Sequence, residues 1–340
     1  MSWTSWMRSE ILEQPEAVAR VLERERRAAW DLGRKLREED IRFAVLAARG
    51  SSDHAAILGK YVLGVKLGVP AALAAPSIAT LYKSRLALAG SVVVGVSQSG
   101  RSPDIVEFVS AAGRSGAVTV AVTNDPSSPL ARAARHSLFL HAGRERSIAA
   151  TKTFTTQLAC LYLLAAGWAG GRRGRGMLRE LASAPEALSR ALQAEPAIES
   201  RMRRLKDVER CVVIGRGYPF PVALETALKL KEAAGVFAEG ASAADFLHGP
   251  IAMVPRQAGR TFRAFLLLSR GPGLESIRRV ERRLKAAGVS SLRFGPDPVP
   301  DWLSPFGLAA AGQLAALHLA RAKGLDPDRP AGLSKVTRVR

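Results

Sequence analysis

The chain has little cysteine and little histidine. Its two cysteines, Cys160 and Cys211, occur among 340 residues and both lie in apolar segments, which excludes a disulfide framework and is typical of a reducing compartment. The five histidines form no pair at metal-ligand spacing, and no Cys-x-x-Cys occurs, which argues against a zinc enzyme. The sequence therefore predicts no metal and no other cofactor.

The sequence also lacks a long apolar run. The longest apolar stretch, residues 158–169, is shorter than the ~20 residues that a membrane-spanning helix needs, and is typical of a buried helix. The N-terminus has no basic segment leading into an apolar one, so it shows no signal-peptide pattern. These features predict a cytoplasmic protein with no membrane partner.

Acidic residues are few relative to basic ones. The chain has 30 Asp and Glu against 50 Lys and Arg, a formal net charge of +20, and only 11 of the basic residues are lysine. The plainest interpretation is arginine spread over solvated faces, as a GC-rich genome produces. The alternatives are nucleic-acid binding or attraction of acidic substrates. Because the basic residues are scattered and carry no nucleic-acid-binding signature, we favour steering of a small phosphorylated molecule and predict no nucleic-acid partner.

Short apolar runs alternate with helical patterns along the chain. Apolar side chains at spacings of three and four in residues 14–36 predict helix. Runs of four to eight apolar residues that end in glycine or serine predict buried parallel strands. They are residues 43–48, 71–74, 91–96, 117–122, 137–141, 263–268 and 290–294. The alternation predicts a doubly wound parallel α/β sheet.

The sequence repeats itself at an offset of 167 residues. Residues 43–50 align with residues 210–217, and both segments end in Arg-Gly. The same offset matches Leu63 with Leu230 and Ala71 with Ala238. A strand, a turn and a helix in register indicate two related α/β halves. We predict an N-terminal helical segment (1–40), a first domain (41–190), a second domain (200–325) and an irregular C-terminal tail (326–340).

The joint between the halves contains a stretch rich in glycine and arginine, residues 170–176. Its composition predicts a solvated loop between two helices. Nucleic-acid binding by this stretch is a lesser alternative.

The segment that follows the predicted strand at 91–96 is rich in hydroxyl and amide side chains. Residues 97–104 are Ser-Gln-Ser-Gly-Arg-Ser-Pro-Asp, in which Ser102 suits a helix N-cap and Pro103 the first helical position. Ligands of doubly wound sheets bind beyond the carboxyl ends of strands, against helix N-termini. The segment is therefore either a phosphate-binding loop or an ordinary strand-to-helix turn. The Gly-Ser-Ser-Asp-His turn at 50–54 adds Ser52 as a candidate anion ligand.

A third group of candidate residues lies at helical spacing. Glu225, Lys229 and Glu232 share one helix face, and His248 follows within a His-Gly-Pro sequence. A solvent-exposed row of ion pairs is the common interpretation of such a face. The alternative is that a carboxylate, an amine and an imidazole converge for proton transfer.

The order of these segments resembles the sugar isomerase (SIS) family. The matching segments are residues 50–54, 97–104, 149–154, 227–232, 248–250 and the terminal Leu-Ser-Lys-Val-Thr at 333–337. Within that family the chain resembles the isomerase half of glutamine–fructose-6-phosphate aminotransferase over residues 7–337, and the stand-alone glucosamine-6-phosphate deaminases. The resemblance implies two tandem flavodoxin-like (α-β-α) SIS subdomains.

The resemblance also implies a role for each matched residue. Glu232 would move a proton between C1 and C2 of a sugar phosphate, and Lys229 would orient that carboxylate or relay protons. His248 would open the sugar ring, and Lys335 would close over the open-chain sugar or form a Schiff base with a ketose. The implied sugar and phosphate contacts are Ser52, Ser97, Gln98, Ser99, Ser102, Ile148 and Ser334.

The family further implies a homodimer in which His248 reaches the partner's active site. Two departures from the aminotransferases are Ala150, where they have serine, and Arg101, where they have an acidic residue. No glutaminase segment precedes Met1 in this sequence, which predicts ammonia release instead of glutamine-dependent transfer.

The expected reaction is thus the conversion of glucosamine 6-phosphate and water to fructose 6-phosphate and ammonia. Three alternatives remain open. They are a phosphosugar isomerase, a fructosamine-6-phosphate deglycase and a non-catalytic regulator that binds a sugar phosphate.

Overall fold

The computed structural model describes residues 5–254, 261–330, 332, 333 and 335. The chain divides into two compact units. The five-stranded unit comprises residues 16–145, 152–183 and 334–340, and the four-stranded unit comprises residues 1–15, 146–151 and 184–333.

The five-stranded unit is a parallel sheet in the order β2-β1-β3-β4-β5. Its strands are β1 (Phe43–Ala47), β2 (Ala71–Leu73), β3 (Ser91–Val96), β4 (Val118–Thr123) and β5 (His136–Phe139). Every residue of β3 and β4 is buried, because helices cover both faces of a parallel sheet, and this accounts for their unbroken apolar runs.

Helices in the first half of the chain begin with α1 (Trp6–Leu12), which belongs to the four-stranded unit. The others are α2 (Gln14–Arg24), α3 (Arg26–Glu38), α4 (Ser51–Leu67), α5 (Ser77–Thr80), α6 (Pro103–Arg114), α7 (Pro129–Ala133), α8 (Lys152–Ala169) and α9 (Gly171–Leu181).

The four-stranded unit is a second parallel sheet, in the order β7-β6-β8-β9. Its strands are β6 (Arg210–Gly215), β7 (Phe237–Ser242), β8 (Phe262–Leu267) and β9 (Ser291–Phe294). Its later helices are α10 (Ala184–Gln193), α11 (Glu195–Arg203), α12 (Pro219–Ala234), α13 (Ala243–His248), α14 (Leu274–Ala286) and α15 (Ser304–Ala322).

The two sheets confirm the predicted doubly wound α/β fold and its internal repeat. Ala44 pairs with Ala71 between β1 and β2, and Cys211 pairs with Ala238 between β6 and β7. These are the same positions at the offset of 167 residues. The apolar pattern did not predict β7, because this edge strand alternates between exposed and buried residues.

The helices that follow the first strand of each sheet also end alike. Gly68 after α4 and Gly235 after α12 both adopt a positive φ, 75° and 61°. In each case the next residue donates its N–H, at 3.2 Å, to a carbonyl six residues back, that of Leu63 or Leu230. This is the Schellman arrangement, which glycine permits because it has no Cβ.

The stretch at residues 170–176 is helical, so its prediction as a loop is wrong. Most of it forms the start of α9. Gly174 is buried, and a Cβ at this position would lie 2.3 Å from the carbonyl oxygen of Ala166 on α8. This glycine therefore serves close packing of two helices, and not a turn.

One helical segment, Asp301–Ala322, is long and apolar enough to cross a membrane by length and composition. Its mean hydropathy is 1.3, and its whole 18-residue window is buried. The α15 helix within it packs against α10, α11 and α12. It is a core helix of the four-stranded unit.

Candidate active site

The strand order of the five-stranded unit reverses between β1 and β3. In doubly wound sheets, ligands bind beyond the carboxyl ends of the strands at such a reversal. The turn that contains Ser52 follows β1, and the loop at residues 97–102 follows β3. The fold therefore brings both predicted anion-binding segments to one edge of this sheet.

Main-chain hydrogen bonds fasten the loop at residues 97–102 to the end of β4. Ser97 donates its N–H to the carbonyl of Val122 at 3.0 Å, and Asn124 donates its N–H to the carbonyl of Gln98 at 3.1 Å. The N–H of Gly100 donates to Ser97 Oγ at 3.2 Å. Gly100 has a φ of 61°, a conformation that favours glycine.

The hydroxyl groups of the loop converge at the N-terminus of α6. Ser102 is the N-cap residue and Pro103 opens the helix, as the sequence predicts. The Oγ atoms of Ser102 and Ser97 lie 3.5 Å apart, while Gln98 and Ser99 are partly exposed. Hydroxyl donors beside a helix N-terminus, with its positive dipole end, favour a phosphate group.

Ser52 is held by a residue that the sequence analysis missed. Gln157 on α8 is 1% exposed, and its Nε2 donates to Ser52 Oγ at 2.8 Å. Because Ser52 accepts this bond, its own hydroxyl hydrogen can be donated to a group other than Gln157. The signal in the sequence was a glutamine immediately before the longest apolar stretch of the chain, residues 158–169.

Two arginines near the loop pair with carboxylates of the same unit. Arg101 lies 3.1 Å from Asp125, and Arg49 lies 2.7 Å from Asp104. Hydrogen bonds from Ser127, joined by one from Arg101, hold the pKa of Asp125 below its usual value. Arg101 thus adds less net charge to the loop than its departure from the family pattern suggested.

The Glu225, Lys229 and Glu232 side chains contact one another on α12, as their spacing predicts. Lys229 Nζ lies 2.5 Å from Glu232 Oε2 and 3.4 Å from Glu225 Oε1. The side chains of Lys229 and Glu225 are 0% and 1% exposed, whereas that of Glu232 is 22% exposed. A solvent-exposed row of ion pairs is therefore the wrong interpretation of this face.

Burial assigns different tasks to these three groups. A buried ammonium is costly unless carboxylates compensate its charge, and Lys229 has one on either side. Of the three side chains, only that of Glu232 is partly exposed, and Lys229 contacts it from the interior. Glu225 anchors Lys229 from the interior.

The remaining predicted residues are distributed along both units. His248 ends α13 and is exposed, and Ile148 is partly buried in the segment 146–151. Ser334 lies outside the described residues. Lys335 lies with its Nζ 2.8 Å from Glu145 Oε2, a contact that the sequence analysis did not predict.

The corresponding edge of the four-stranded unit differs chemically. Its strand order reverses between β6 and β8, and a Cβ on Gly271, which follows β8, would lie 2.1 Å from the carboxylate of Asp301. Burial, and secondarily Asp301, raise the pKa of the Tyr218 hydroxyl after β6. A carboxylate in this place disfavours an anion, whereas the five-stranded unit presents hydroxyl groups beside a helix N-terminus at the corresponding edge.

Both cysteines are buried and free, as predicted for core residues. Burial raises the pKa of the Cys211 thiol to about 12 and that of Cys160 well above its usual value. In the part of the chain that the structure describes, no three His, Cys, Asp or Glu residues are grouped to hold a metal ion.

Comparison with known sequences gives a family match. The sequence profile of the SIS domain matches residues 38–167 and 204–291, more than half of the chain. Glutamine–fructose-6-phosphate aminotransferase [isomerizing] from Methanothermobacter thermautotrophicus is 32% identical, and that from Aeropyrum pernix is 34% identical, each over 98% of this chain. The chain spans 57% of the length of each of these relatives.

Solved structures match along nearly the whole chain. A protein from Silicibacter pomeroyi DSS-3, provisionally named a phosphosugar isomerase, is 33% identical with a TM-score of 0.86, covering 96% of this chain and 100% of its own. The C-terminal domain of glucosamine-fructose-6-phosphate aminotransferase from Francisella tularensis is 25% identical with a TM-score of 0.87, covering 97% and 99%. Glucosamine-6-phosphate deaminase from Thermotoga maritima shares the fold, with a TM-score of 0.79 at 23% identity and coverage of 98% and 100%.

Proposed function

Because the chain belongs to the SIS domain family, we propose that it interconverts an aldose phosphate and a ketose phosphate, as a glucosamine-6-phosphate deaminase. The substrates would be glucosamine 6-phosphate and water, and the products fructose 6-phosphate and ammonia. The observation that carries this proposal is the buried Lys229 ammonium holding the partly exposed Glu232 carboxylate.

The proposed reaction begins with ring opening and ends with hydrolysis. His248 moves the proton of the anomeric hydroxyl to the ring oxygen, which gives the open-chain aldehyde. Glu232 removes the proton from C2 and returns it to C1, so that an enolamine becomes the imine of fructose 6-phosphate. Water adds to C2 of this imine, and ammonia leaves.

The phosphate of the substrate would bind at the loop of residues 97–102. The Ser97, Ser99 and Ser102 hydroxyl groups, the Gln98 amide and the Ser52 hydroxyl are the donors proposed for it. Support comes from their common position at the reversal of strand order and from the N-terminus of α6. Contacts of the sugar with Ile148 and Ser334 remain predictions.

A second candidate is a phosphosugar isomerase without ammonia release. It is favoured by the name and 33% identity of the Silicibacter pomeroyi protein. Both reactions use the same proton transfer by Glu232, and they differ in whether C2 carries an amine.

We also propose a homodimer, in which the exposed His248 at the end of α13 serves the active site of the second copy. The cytoplasmic location stays a prediction.

Ammonia release is the test of the proposed reaction. The protein is incubated with glucosamine 6-phosphate, N-acetylglucosamine 6-phosphate and galactosamine 6-phosphate, and both products are quantified. We expect ammonia and fructose 6-phosphate in equal amounts from glucosamine 6-phosphate. Interconversion of glucose 6-phosphate and fructose 6-phosphate without ammonia would favour the isomerase, and binding without turnover would favour a regulator.

Glu232→Gln tests the role of the carboxylate. Loss of the proton acceptor should lower kcat by about 10²–10⁴-fold, while the affinity for fructose 6-phosphate, measured by titration calorimetry, changes little. Glu239→Gln, an exposed position on β7 of the same unit, is the matched control. Turnover retained in Glu232→Gln would remove this residue from the mechanism.

A further inference from the structure

Glu145 carries a buried carboxylate between β5 and α8, in the five-stranded unit. Its side chain is 0% exposed. Oε1 accepts the N–H of Thr153 at 3.1 Å, and Oε2 accepts the Thr153 hydroxyl at 2.8 Å. Oε2 also accepts a hydrogen bond from Lys335 Nζ at 2.8 Å. Lys335 and Thr153 belong to the same unit.

Thr153 and Lys335, which both contact this carboxylate, differ in how firmly they are held. Thr153 lies in the first turn of α8, so the helix fixes the position of both of its donors. A buried carboxylate keeps its charge only where such donors compensate the loss of water. Lys335 has a long side chain on the C-terminal tail and is 26% exposed. The fixed carboxylate therefore defines where the amine lies.

The environment strengthens this contact. A charge-assisted hydrogen bond is stronger than a neutral one, and a buried ion pair is screened less by water and salt than an exposed one. The Lys335 amine thus has a built acceptor in the five-stranded unit. A flexible lysine without such an acceptor would populate several rotamers.

We propose that Glu145 is the positioning residue for Lys335. Its carboxylate docks Lys335 and orients the amine of this residue toward the open-chain sugar. The proposal rests on the proposed function in one respect, because it takes Lys335 as the residue that closes over that sugar. The docking itself is independent of the reaction.

Digestion with the endoproteinase Lys-C tests the docking without any activity assay. This protease cuts after lysine and ignores the many arginines, so cleavage at Lys335 releases residues 336–340, which mass spectrometry detects. Glu145→Gln should accelerate this cleavage at least tenfold, and Thr153→Val, which keeps the N–H donor, should accelerate it less. Glu281→Gln breaks the surface pair with Arg293 and should leave the rate unchanged.

Kinetics then test whether docking serves the reaction. Glu145→Gln should lower kcat at least tenfold with a small change in KM, and Lys335→Met should do the same or more. If Glu145 acts through Lys335, the double variant is no slower than Lys335→Met alone. A merely structural role for Glu145 would lower kcat further in the double variant.

Two results would overturn the proposal. One is an unchanged Lys-C rate in Glu145→Gln, which would show that the carboxylate does not dock Lys335. The other is faster cleavage with unchanged kcat, which would show that docking does not position a reacting amine. If the unaltered protein releases no ammonia and interconverts no sugar phosphate, the proposed function fails, and the Lys-C rates still decide the docking.

Discussion

At the scale of single residues, position 100 requires glycine for two reasons. Its φ of 61° lies in the region that side chains rarely adopt, and an added Cβ would lie 2.3 Å from Ser128 Oγ and 2.7 Å from Thr123 Oγ1. The residue also donates its N–H to Ser97 Oγ. The loop at residues 97–102 therefore depends on the absence of a side chain here.

Gly100→Ala should weaken binding of fructose 6-phosphate at least tenfold, because the loop must shift to admit the methyl group. Titration calorimetry measures the change. Gly116→Ala is the matched control, since φ is 82° there and the nearest atom to a Cβ, from Ala89, is 3.5 Å away. It should carry a similar strain of about 1–2 kcal/mol without loss of affinity. Equal affinities in both variants would show that the loop does not bind the phosphate.

At the scale of elements, α3 and α8 cross where neither helix has a side chain. A Cβ on Gly33 would lie 2.0 Å from the carbonyl carbon of Gly167, and one on Gly167 would lie 2.1 Å from the carbonyl oxygen of Ala29. The two backbones therefore touch. The α8 helix also carries Thr153, which donates to Glu145, and Gln157, which donates to Ser52. The crossing therefore helps to position both of these donors.

Gly33→Ala should lower the free energy of unfolding by about 2–3 kcal/mol, because a methyl group at this crossing forces the helices apart. Urea denaturation measures it. Gly64→Ala in α4 has nothing within 4 Å of the added Cβ, and should raise the free energy of unfolding by about 0.5–1 kcal/mol through helix propensity. A similar urea midpoint for the two variants would contradict the close contact between the α3 and α8 backbones.

At the scale of the whole molecule, buried titratable groups make stability depend on pH. In the four-stranded unit, His318 Nε2 lies 3.0 Å from Glu195, which Arg8 also contacts at 2.7 Å. Burial lowers the pKa of His318, and that of His136 in the other unit. Burial alone would raise the pKa of Glu195, but the hydrogen bonds from Arg8 and His318 outweigh it and lower this pKa.

All three groups bind fewer protons in the folded than in the unfolded chain. Their contribution to the free energy of unfolding is therefore fully present near neutral pH. It is lost as the pH falls, below about 6.5 for the histidines and below about 4.3 for Glu195. Thermal unfolding at pH 7.5, 6.0 and 5.0 should show a falling Tm. His318→Gln keeps a donor for Glu195 and should reduce the fall between pH 7.5 and 5.0. If the Tm of this variant depends on pH as that of the unaltered protein does, His318 does not contribute to the pH dependence of stability.

The local features of this protein follow from its amino-acid sequence. Apolar runs such as residues 91–96 form strands because a buried parallel strand must be apolar on both faces. The repeat at 167 residues indicated the second sheet, and the Ser102-Pro103 pair predicted the start of α6. The strand and helix signals act through neighbours in the chain, and the repeat is a comparison of the sequence with itself, so none of them requires the folded structure.

Which distant groups meet, and which are buried, depends instead on how the chain packs. The edge strand β7 forms because it pairs with β6, and its own sequence shows no apolar run. Residues 170–176 are mostly helical because they pack against α8. Spacing placed Lys229 between two carboxylates, but only packing removed it from water. Gln157 beside Ser52, and Glu145 beside Lys335, join residues more than a hundred positions apart. Such contacts depend on the folded path of the chain, which no local pattern encodes.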